Sequence, residues 1–231
     1  MPLSLPAPLL FGLFAAMATS IGLIAVALSG SWSRRYAGLF ALAAAGMLIT
    51  MSLTHIAPEA MAFSDLAPSF MAGGFFGGLL MGFVIRALFP DTGEGGKAGA
   101  ITPIAAIALH SFIDGVIYSV TFAASYASGV SAASALIVHE FPEAVIAFAI
   151  LQRHGFSTRD SLLWAFAAAA MTTPLGALAA TPVMSTLTPE SVGLLFAISA
   201  GLLLYVATGP LMAPLRQHPS QALARPARAF R

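Results

Sequence analysis

The chain has 231 residues and a formal net charge of +1, with 58% hydrophobic and 8% charged residues. Its mean hydropathy of +0.90 excludes an ordinary soluble domain and indicates a membrane protein. The net charge says nothing about nucleic acid, and no nucleic-acid partner is expected. The absence of cysteine excludes disulfides, thiolate metal ligands and thiol catalysis, so any metal would be bound through nitrogen and oxygen atoms.

Apolar segments long enough to cross a lipid bilayer recur along the chain. A hydrocarbon core about 30 Å thick needs roughly 20 apolar residues per helix. The predicted spans are 8–28, 37–58, 68–89, 100–124, 130–151, 160–182 and 190–214. We therefore predict an all-α polytopic membrane helix bundle, with one transmembrane domain over residues 1–214 and a basic tail over residues 215–231.

The basic residues predict how this bundle is oriented. All ten lie on one side of the membrane if the seven spans are correct, and basic residues favour the cytoplasmic side. The N-terminus is then outside and the tail is cytoplasmic, in a plasma membrane of the bacterial type. The ten are Arg34, Arg35, Arg86, Lys97, Arg153, Arg159, Arg216, Arg225, Arg228 and Arg231.

The third predicted span is rich in glycine. Gly73 and Gly77, Gly74 and Gly78, and Gly78 and Gly82 stand at GxxxG spacing, which lets two helix backbones approach closely. We favour packing within the chain, and a homodimer seam is the alternative.

Ionisable side chains are few inside the spans, where each charged group costs roughly 2 to 3 kcal/mol or more. His110 and Asp114 in the fourth span are four residues apart, as are His139 and Glu143 in the fifth, so each pair shares one helix face. If these faces meet, two imidazoles and two carboxylates form a ligand set that zinc accepts readily. The bound cation would then neutralise the buried carboxylates.

The pattern His-x-x-Pro-Glu occurs in both the second and the fifth span. Pro58 and Pro142 each remove an N–H and release an upstream carbonyl, which predicts a bent helix with backbone oxygen facing a cavity. Breaks of this kind are common at transport sites. We predict that His55 and Glu59, near the outer end of the second span, form an entry site for the cation.

These patterns together resemble a known family. HSFIDG resembles the fourth-span motif HNxxDG of the ZIP (ZRT/IRT-like) metal transporters, and HEFPEA resembles their fifth-span motif HExPHE. HIAPEA is similar to the second-span motif HLLPEA, TTPLGA to the sixth span and SAGLLLYVA to the seventh. The resemblance therefore covers the second span and the fourth to seventh spans in order.

The resemblance implies uptake of a divalent metal into the cytoplasm, usually zinc and sometimes iron, manganese or cadmium. It also implies an eight-span dimer in which a transport bundle moves against a scaffold, so the eighth span is missing from the predicted set. No cofactor is expected, since the cation is the substrate. The metal ligands that the resemblance implies are His110, Ser111, Asp114, His139, Glu140 and Glu143.

Several positions depart from the family pattern. Ser111 replaces asparagine, Ala144 replaces the final glutamate, and Thr173 stands where some relatives have an acid. Whether a second metal binds beside the first stays open, because only Glu140 and Ser111 could provide ligands for it.

Two other functions also stay open. HEFPE resembles the HExxH of intramembrane zinc-dependent proteases, although Glu143 stands in place of the second histidine and Pro142 distorts the helix. A membrane metal sensor would bind the cation without transporting it. We predict a transporter of divalent cations, zinc first, and not an enzyme.

Overall fold

The computed structural model describes residues 5–28, 37–88, 97–186 and 188–211. These residues form helices and short turns, which confirms the predicted all-α class. The helices are α1 (Ala7–Leu28), α2 (Ala37–Met51), α3 (Ala57–Phe63), α4 (Ala67–Leu88), α5 (Ile101–Ala124), α6 (Tyr126–Arg153), α7 (Thr158–Ala165), α8 (Thr172–Ala180) and α9 (Pro189–Val206). Short 3₁₀ turns occur at Lys97–Ala100 and Thr181–Thr186.

Six helical stretches within the described residues are long and apolar enough to cross a membrane. They are Ala7–Leu28, Ala67–Ile85, Ile101–Ala123, Tyr126–Arg153, Thr158–Ala180 and Pro189–Gly209. The second predicted span is the helical run of α2 and α3. The predicted tail 215–231, the domain boundary at residue 214, and Arg34 and Arg35 lie outside the described residues.

Within the described ranges, three π turns interrupt or end helices, and a proline lies in or soon after each one. A proline lacks an N–H, and its ring presses on the carbonyl one turn upstream, so a wider turn accommodates it. Pro142 differs, because α6 continues through it. The three turns are Ser52–Ile56 before Pro58, Phe166–Ala170 before Pro174, and Ala207–Leu211, which contains Pro210.

The helices pack in two groups. In the first, which we call the site bundle (α1, α5, α6, α7 and α8), α5 packs on α8 and α6, and α1 packs on α6 and α8. In the second, the companion bundle (α2, α3, α4 and α9), α9 packs on α4 and α3. The two bundles meet where α9 contacts α5 and where α2 contacts α6. The contact of α9 with α5 places the companion bundle against the helix that carries His110 and Asp114.

Within the site bundle, two glycines set the close approach of α5 and α8. A Cβ on Gly115 would collide with the backbone carbonyl of Thr173, and a Cβ on Gly176 would collide with the carbonyl of Phe112. Each helix thus places a glycine against the backbone of the other. Gly115 directly follows Asp114, so this packing also helps to set the position of the ligand face of α5.

Within the companion bundle, the predicted glycine spacing packs α4 against α9. Gly74 faces the backbone of Ile198, and Gly78 and Gly82 face the ring of Tyr205. The packing within the chain that we favoured therefore occurs for these three glycines. Small residues at this spacing let the two backbones lie close together.

The remaining GxxxG pair lies on a different face of α4. Apart from the adjacent backbone of α4 itself, no described atom lies within 4 Å of a Cβ built on Gly73 or Gly77. This pair therefore does not serve the packing of α4 on α9.

Candidate metal-binding site

Helices α5 and α6 bring together three buried side chains that can ligate a metal. One ligand atom each from His110, Asp114 and His139 lie within 4.8 Å of one another. His139 Nε2 is 2.8 Å from Asp114 Oδ2, and His110 Nε2 is 3.6 Å from the same oxygen. The two imidazole rings lie with their centroids 5.4 Å apart. The two helices thus face each other through the residues that the helical spacing selected.

The fourth predicted ligand lies at the edge of this cluster. Glu143 Oε2 is 3.8 Å from His110 Nε2, and Glu143 is itself buried. Ser111 donates its hydroxyl to Glu143 Oε1 at 2.8 Å. Ser111 therefore orients a predicted ligand in this structure, while its own role as a ligand stays a prediction.

Three buried polar atoms at the site have no hydrogen-bond partner among the described residues. They are His110 Nε2, Asp114 Oδ1 and Glu143 Oε2. Buried polar atoms are normally hydrogen-bonded, because leaving one unpaired costs free energy. An imidazole nitrogen and two carboxylate oxygens are the kind of atoms that zinc binds, so the unpaired atoms fit a divalent cation.

The charge around the site supports the same chemistry. The helices α1, α5, α6, α8 and α9 contain no lysine or arginine except Arg153, the last residue of α6. Asp114, Glu140 and Glu143 are nevertheless all buried. Buried carboxylates need an opposite charge or a proton, and a divalent cation would supply that charge.

Glu140 was predicted as a ligand, but its carboxylate is engaged elsewhere. Thr19 of α1 donates to Glu140 Oε2 at 2.8 Å, and Thr173 of α8 donates to Oε1 at 3.2 Å. The structure does not bring Glu140 into the ligand cluster. Sequence reasoning noted that Thr173 replaces an acid, but it gave no sign that Thr19 is involved.

His110 has a further partner that sequence reasoning missed. Its Nδ1 lies 2.5 Å from the hydroxyl oxygen of Ser199, and both side chains are buried. Ser199 belongs to α9 in the companion bundle and is the first residue of the seventh-span stretch SAGLLLYVA. The likeness of that stretch to a family motif was the available signal, although it did not indicate a contact.

The predicted entry residues lie outside the cluster. His55 is exposed on the π turn between α2 and α3, and Glu59 is half-buried on α3. Glu59 lies close enough to His55 and to Asp114 to interact electrostatically with both. Glu59 is therefore near the site, and neither residue of the pair forms part of the cluster.

Comparisons with known proteins match this chain to a family of zinc transporters. The family described as ZIP Zinc transporter matches residues 91–226. The human Zinc transporter ZIP4 is 36% identical over 100 residues, which are 43% of this chain and 15% of that protein. The Metal cation symporter ZIP8 of Rattus norvegicus is 33% identical over 99 residues, or 43% of this chain and 21% of that protein.

The Zinc transporter ZIP6 of Pongo abelii is 35% identical over 100 residues, which are 43% of this chain and 13% of that protein. The matches thus span about a fifth or less of each of these relatives.

Proposed function

Because this chain belongs to the ZIP zinc transporter family, we propose that it transports a divalent cation, zinc first, across the membrane into the cytoplasm. The observation that carries the proposal is the buried meeting of four side chains between α5 and α6, which are His110, Asp114, His139 and Glu143. All of these except His139 have a ligand atom that is unpaired among the described residues. A metal site in a soluble protein would not need to lie buried between helices as hydrophobic as these. In a membrane protein, ionisable residues of this kind mark an ion pathway by default.

The proposed pathway begins at His55 and Glu59 and continues to the buried site. There the cation exchanges water for imidazole and carboxylate ligands. Burial disfavours the ionised form of the carboxyl groups, and the cation supplies the opposite charge that stabilises it. Movement of the site bundle relative to the companion bundle would then expose the cation to the cytoplasm. The glycine contacts of α4 with α9 lie within the companion bundle, so this motion would leave them intact. Ligand number and geometry, more than intrinsic affinity, would select the metal, so iron, manganese and cadmium are the other candidate substrates.

The protein is an integral membrane protein, and its orientation is part of the proposal. The basic residues favour an outside N-terminus and a cytoplasmic C-terminus in a bacterial-type plasma membrane. A homodimer, which the family resemblance implies, stays a prediction. Cross-linking between engineered cysteines at Gly73 and Gly77 would test it, because that face of α4 is open.

The protease alternative is disfavoured by the arrangement at the site. In HExxH enzymes two histidines on one helix hold zinc and the glutamate acts as general base. Here Glu143 replaces the second histidine, and Glu140, which would be the base, accepts hydrogen bonds from Thr19 and Thr173.

Flux into proteoliposomes tests the proposed function and separates it from a metal sensor. Vesicles of known orientation containing the full chain should accumulate radioactive zinc in a saturable way, with manganese and iron compared under the same conditions. His110→Ala and His139→Ala should abolish this uptake, because each removes one ligand. His218→Ala, in the predicted tail, is the matched control and should transport normally.

Three outcomes would contradict the proposal. Tight zinc binding without flux would indicate a sensor. Cleavage of a membrane peptide without zinc accumulation would indicate the protease. Normal uptake by both site variants would show that the cation takes another path.

A further inference from the structure

We propose that Ser199 is a positioning residue that holds His110 in its metal-ligating form, and that it does so from the companion bundle. The affinity for the cation would then depend on the contact between the two bundles. This inference rests on the proposed function, since it concerns the same site. It adds a residue that the sequence patterns did not select.

The contact between the two side chains is close and fully enclosed. Ser199 Oγ lies 2.5 Å from His110 Nδ1, with the serine 0% and the histidine 1% exposed. The other ring nitrogen, Nε2, faces Asp114 at 3.6 Å and Glu143 at 3.8 Å. Nε2 has no hydrogen-bond partner among the described residues. One nitrogen of the ring is therefore held, and the other faces the acids.

The chemistry of imidazole assigns the proton. A neutral imidazole has one N–H and one nitrogen lone pair, and a metal takes the lone pair. Because Nε2 faces the other ligands, it must supply the lone pair, and Nδ1 must carry the hydrogen. Ser199 Oγ then accepts the hydrogen bond from Nδ1. A partner of this kind fixes both the tautomer and the ring orientation of a ligating histidine.

The identity of the acceptor also affects the strength of the ligand. A carboxylate acceptor raises the basicity of a ligating imidazole, whereas a serine hydroxyl is neutral and does so less. His110 should therefore be a weaker ligand than a histidine backed by a carboxylate. Moderate affinity suits a transporter, because the cation must leave the site as well as enter it.

The position of Ser199 distinguishes it from the other hydrogen-bonding side chains at the site. Ser111, Thr19 and Thr173 bond to Glu143 or Glu140, and all of these residues belong to the site bundle. Ser199 reaches His110 from α9, 89 positions away along the chain. A shift of one bundle past the other would leave the first set of bonds intact and would break the bond to Ser199. His110 would then be free to rotate or change tautomer as the cation is released.

Ser199→Ala tests this inference, with Ser119→Ala as the matched control. Ser119 is also a fully buried serine, and it donates to the carbonyl of Ala177 at 2.8 Å, away from the ligand cluster. Both variants lose one buried hydroxyl, but only Ser199→Ala loses a hydrogen-bond partner of His110. Ser199→Thr keeps a hydroxyl and should restore the wild-type behaviour.

Zinc affinity is measured on the full-length protein purified in detergent, and transport is measured in proteoliposomes. Ser199→Ala should weaken zinc binding by about 10-fold, at the lower end of the effect of losing such a partner. It should raise KM for zinc without lowering kcat, because release becomes easier. Ser119→Ala should bind zinc as the wild type does, and thermal unfolding of each variant shows whether it is folded.

The outcomes separate this inference from the proposed function. Wild-type affinity in Ser199→Ala, combined with loss of binding in His110→Ala, would overturn the role of Ser199 and leave the function standing. An equal loss of affinity in the two alanine variants would show a general effect of removing buried hydroxyls and would also overturn it. So would Ser199→Thr if it bound zinc as weakly as Ser199→Ala. Failure of the wild type itself to bind and transport zinc would instead reject the proposed function.

Discussion

The site bundle and the companion bundle are both helical and apolar, and close glycine contacts bring helices together in both, but the site bundle adds hydrogen bonds between buried side chains of different helices. In the site bundle, buried side chains form hydrogen bonds between helices, as Glu140 does with Thr19 and Thr173. In the companion bundle, α4 and α9 meet through glycines, such as Gly74 against the backbone of Ile198. Such hydrogen bonds set the direction of each polar group, whereas glycine contacts set only the distance between backbones.

This difference explains why the ligand atoms lie where they do. The hydrogen bonds around the site engage both oxygens of Glu140 and one oxygen of Glu143. The second oxygen of Glu143, one oxygen of Asp114 and one nitrogen of His110 are left without partners among the described residues. The network thus selects which atoms are available to a cation. The companion bundle contributes to this selection through Ser199.

Removal of the charge on Asp114, in the site bundle, should have the largest effect on zinc uptake. Asp114 Oδ2 is the oxygen that approaches both His110 and His139, so Asp114→Asn loses the central ligand while keeping the shape of the side chain. Saturable zinc uptake into proteoliposomes should fall to the level of protein-free vesicles. Asp160→Asn, in the first turn of α7, is the control and should transport normally. Undiminished uptake by Asp114→Asn would exclude this carboxylate from the pathway.

The two glutamates of α6 should respond differently to the same substitution. Glu143→Gln removes a charge beside His110 and should weaken zinc binding by about tenfold or more, as expected for the loss of about 1.4 kcal/mol or more of binding free energy. Glu140→Gln changes a group that bonds to Thr19 and Thr173, so it should lower thermal stability while leaving zinc affinity close to that of the wild type. Titration calorimetry of both variants makes the comparison. A larger loss of affinity in Glu140→Gln would show that Glu140 turns into the site when the cation binds.

Replacing glycines by alanine should separate effects on stability from effects on zinc binding. Gly115→Ala and Gly74→Ala each place a methyl group against a backbone carbonyl, so each should lower the free energy of unfolding by about 1–3 kcal/mol. Only Gly115→Ala should also weaken zinc binding, because it displaces α5 next to Asp114. Thermal unfolding and zinc titration in detergent test both points.

Gly73→Ala provides the control for these two variants, since no described atom outside the adjacent backbone of α4 lies within 4 Å of the added Cβ. It should leave the unfolding temperature unchanged or slightly higher, because alanine favours the helix more than glycine does. Equal destabilisation by Gly73→Ala and Gly74→Ala would contradict the packing of α4 on α9.

The smallest effect is expected for Tyr118→Phe. Tyr118 lies one turn beyond Asp114 on α5, and its hydroxyl is buried without a hydrogen-bond partner among the described residues. Loss of this hydroxyl should leave uptake unchanged and should raise stability by about 1 kcal/mol or less, because an unpaired buried donor is removed. Tyr126→Phe, at an exposed tyrosine, should show no change. Reduced zinc uptake in Tyr118→Phe would place the hydroxyl on the cation path.

Residues related by short helical spacing could be paired from the sequence. The separation of four residues between His110 and Asp114, and between His139 and Glu143, was enough to place each pair on one helix face. The spacing of Gly74, Gly78 and Gly82 likewise predicted a close helix contact. These patterns follow from the geometry of a single helix.

The hydrogen-bond partners of the predicted ligands could not be predicted from helical spacing. Thr19 and Glu140 are 121 positions apart, and His110 and Ser199 are 89 apart. Threonine and serine are common in membrane helices, so the residue type alone does not identify a hydrogen-bond partner. Helical periodicity also could not show that Glu140 turns toward α1 and α8, although His139 beside it turns toward Asp114.

The sequence by itself determined that the protein is a membrane helix bundle and which side chains could ligate a divalent cation, because hydropathy and helical period are local properties. Only the tertiary structure decided which of those side chains meet, that Glu140 is held by two threonines, and that a serine of the companion bundle supports His110. The reason is physical. A hydrogen bond forms only when two groups lie about 3 Å apart, and the packing of distant helices decides that distance.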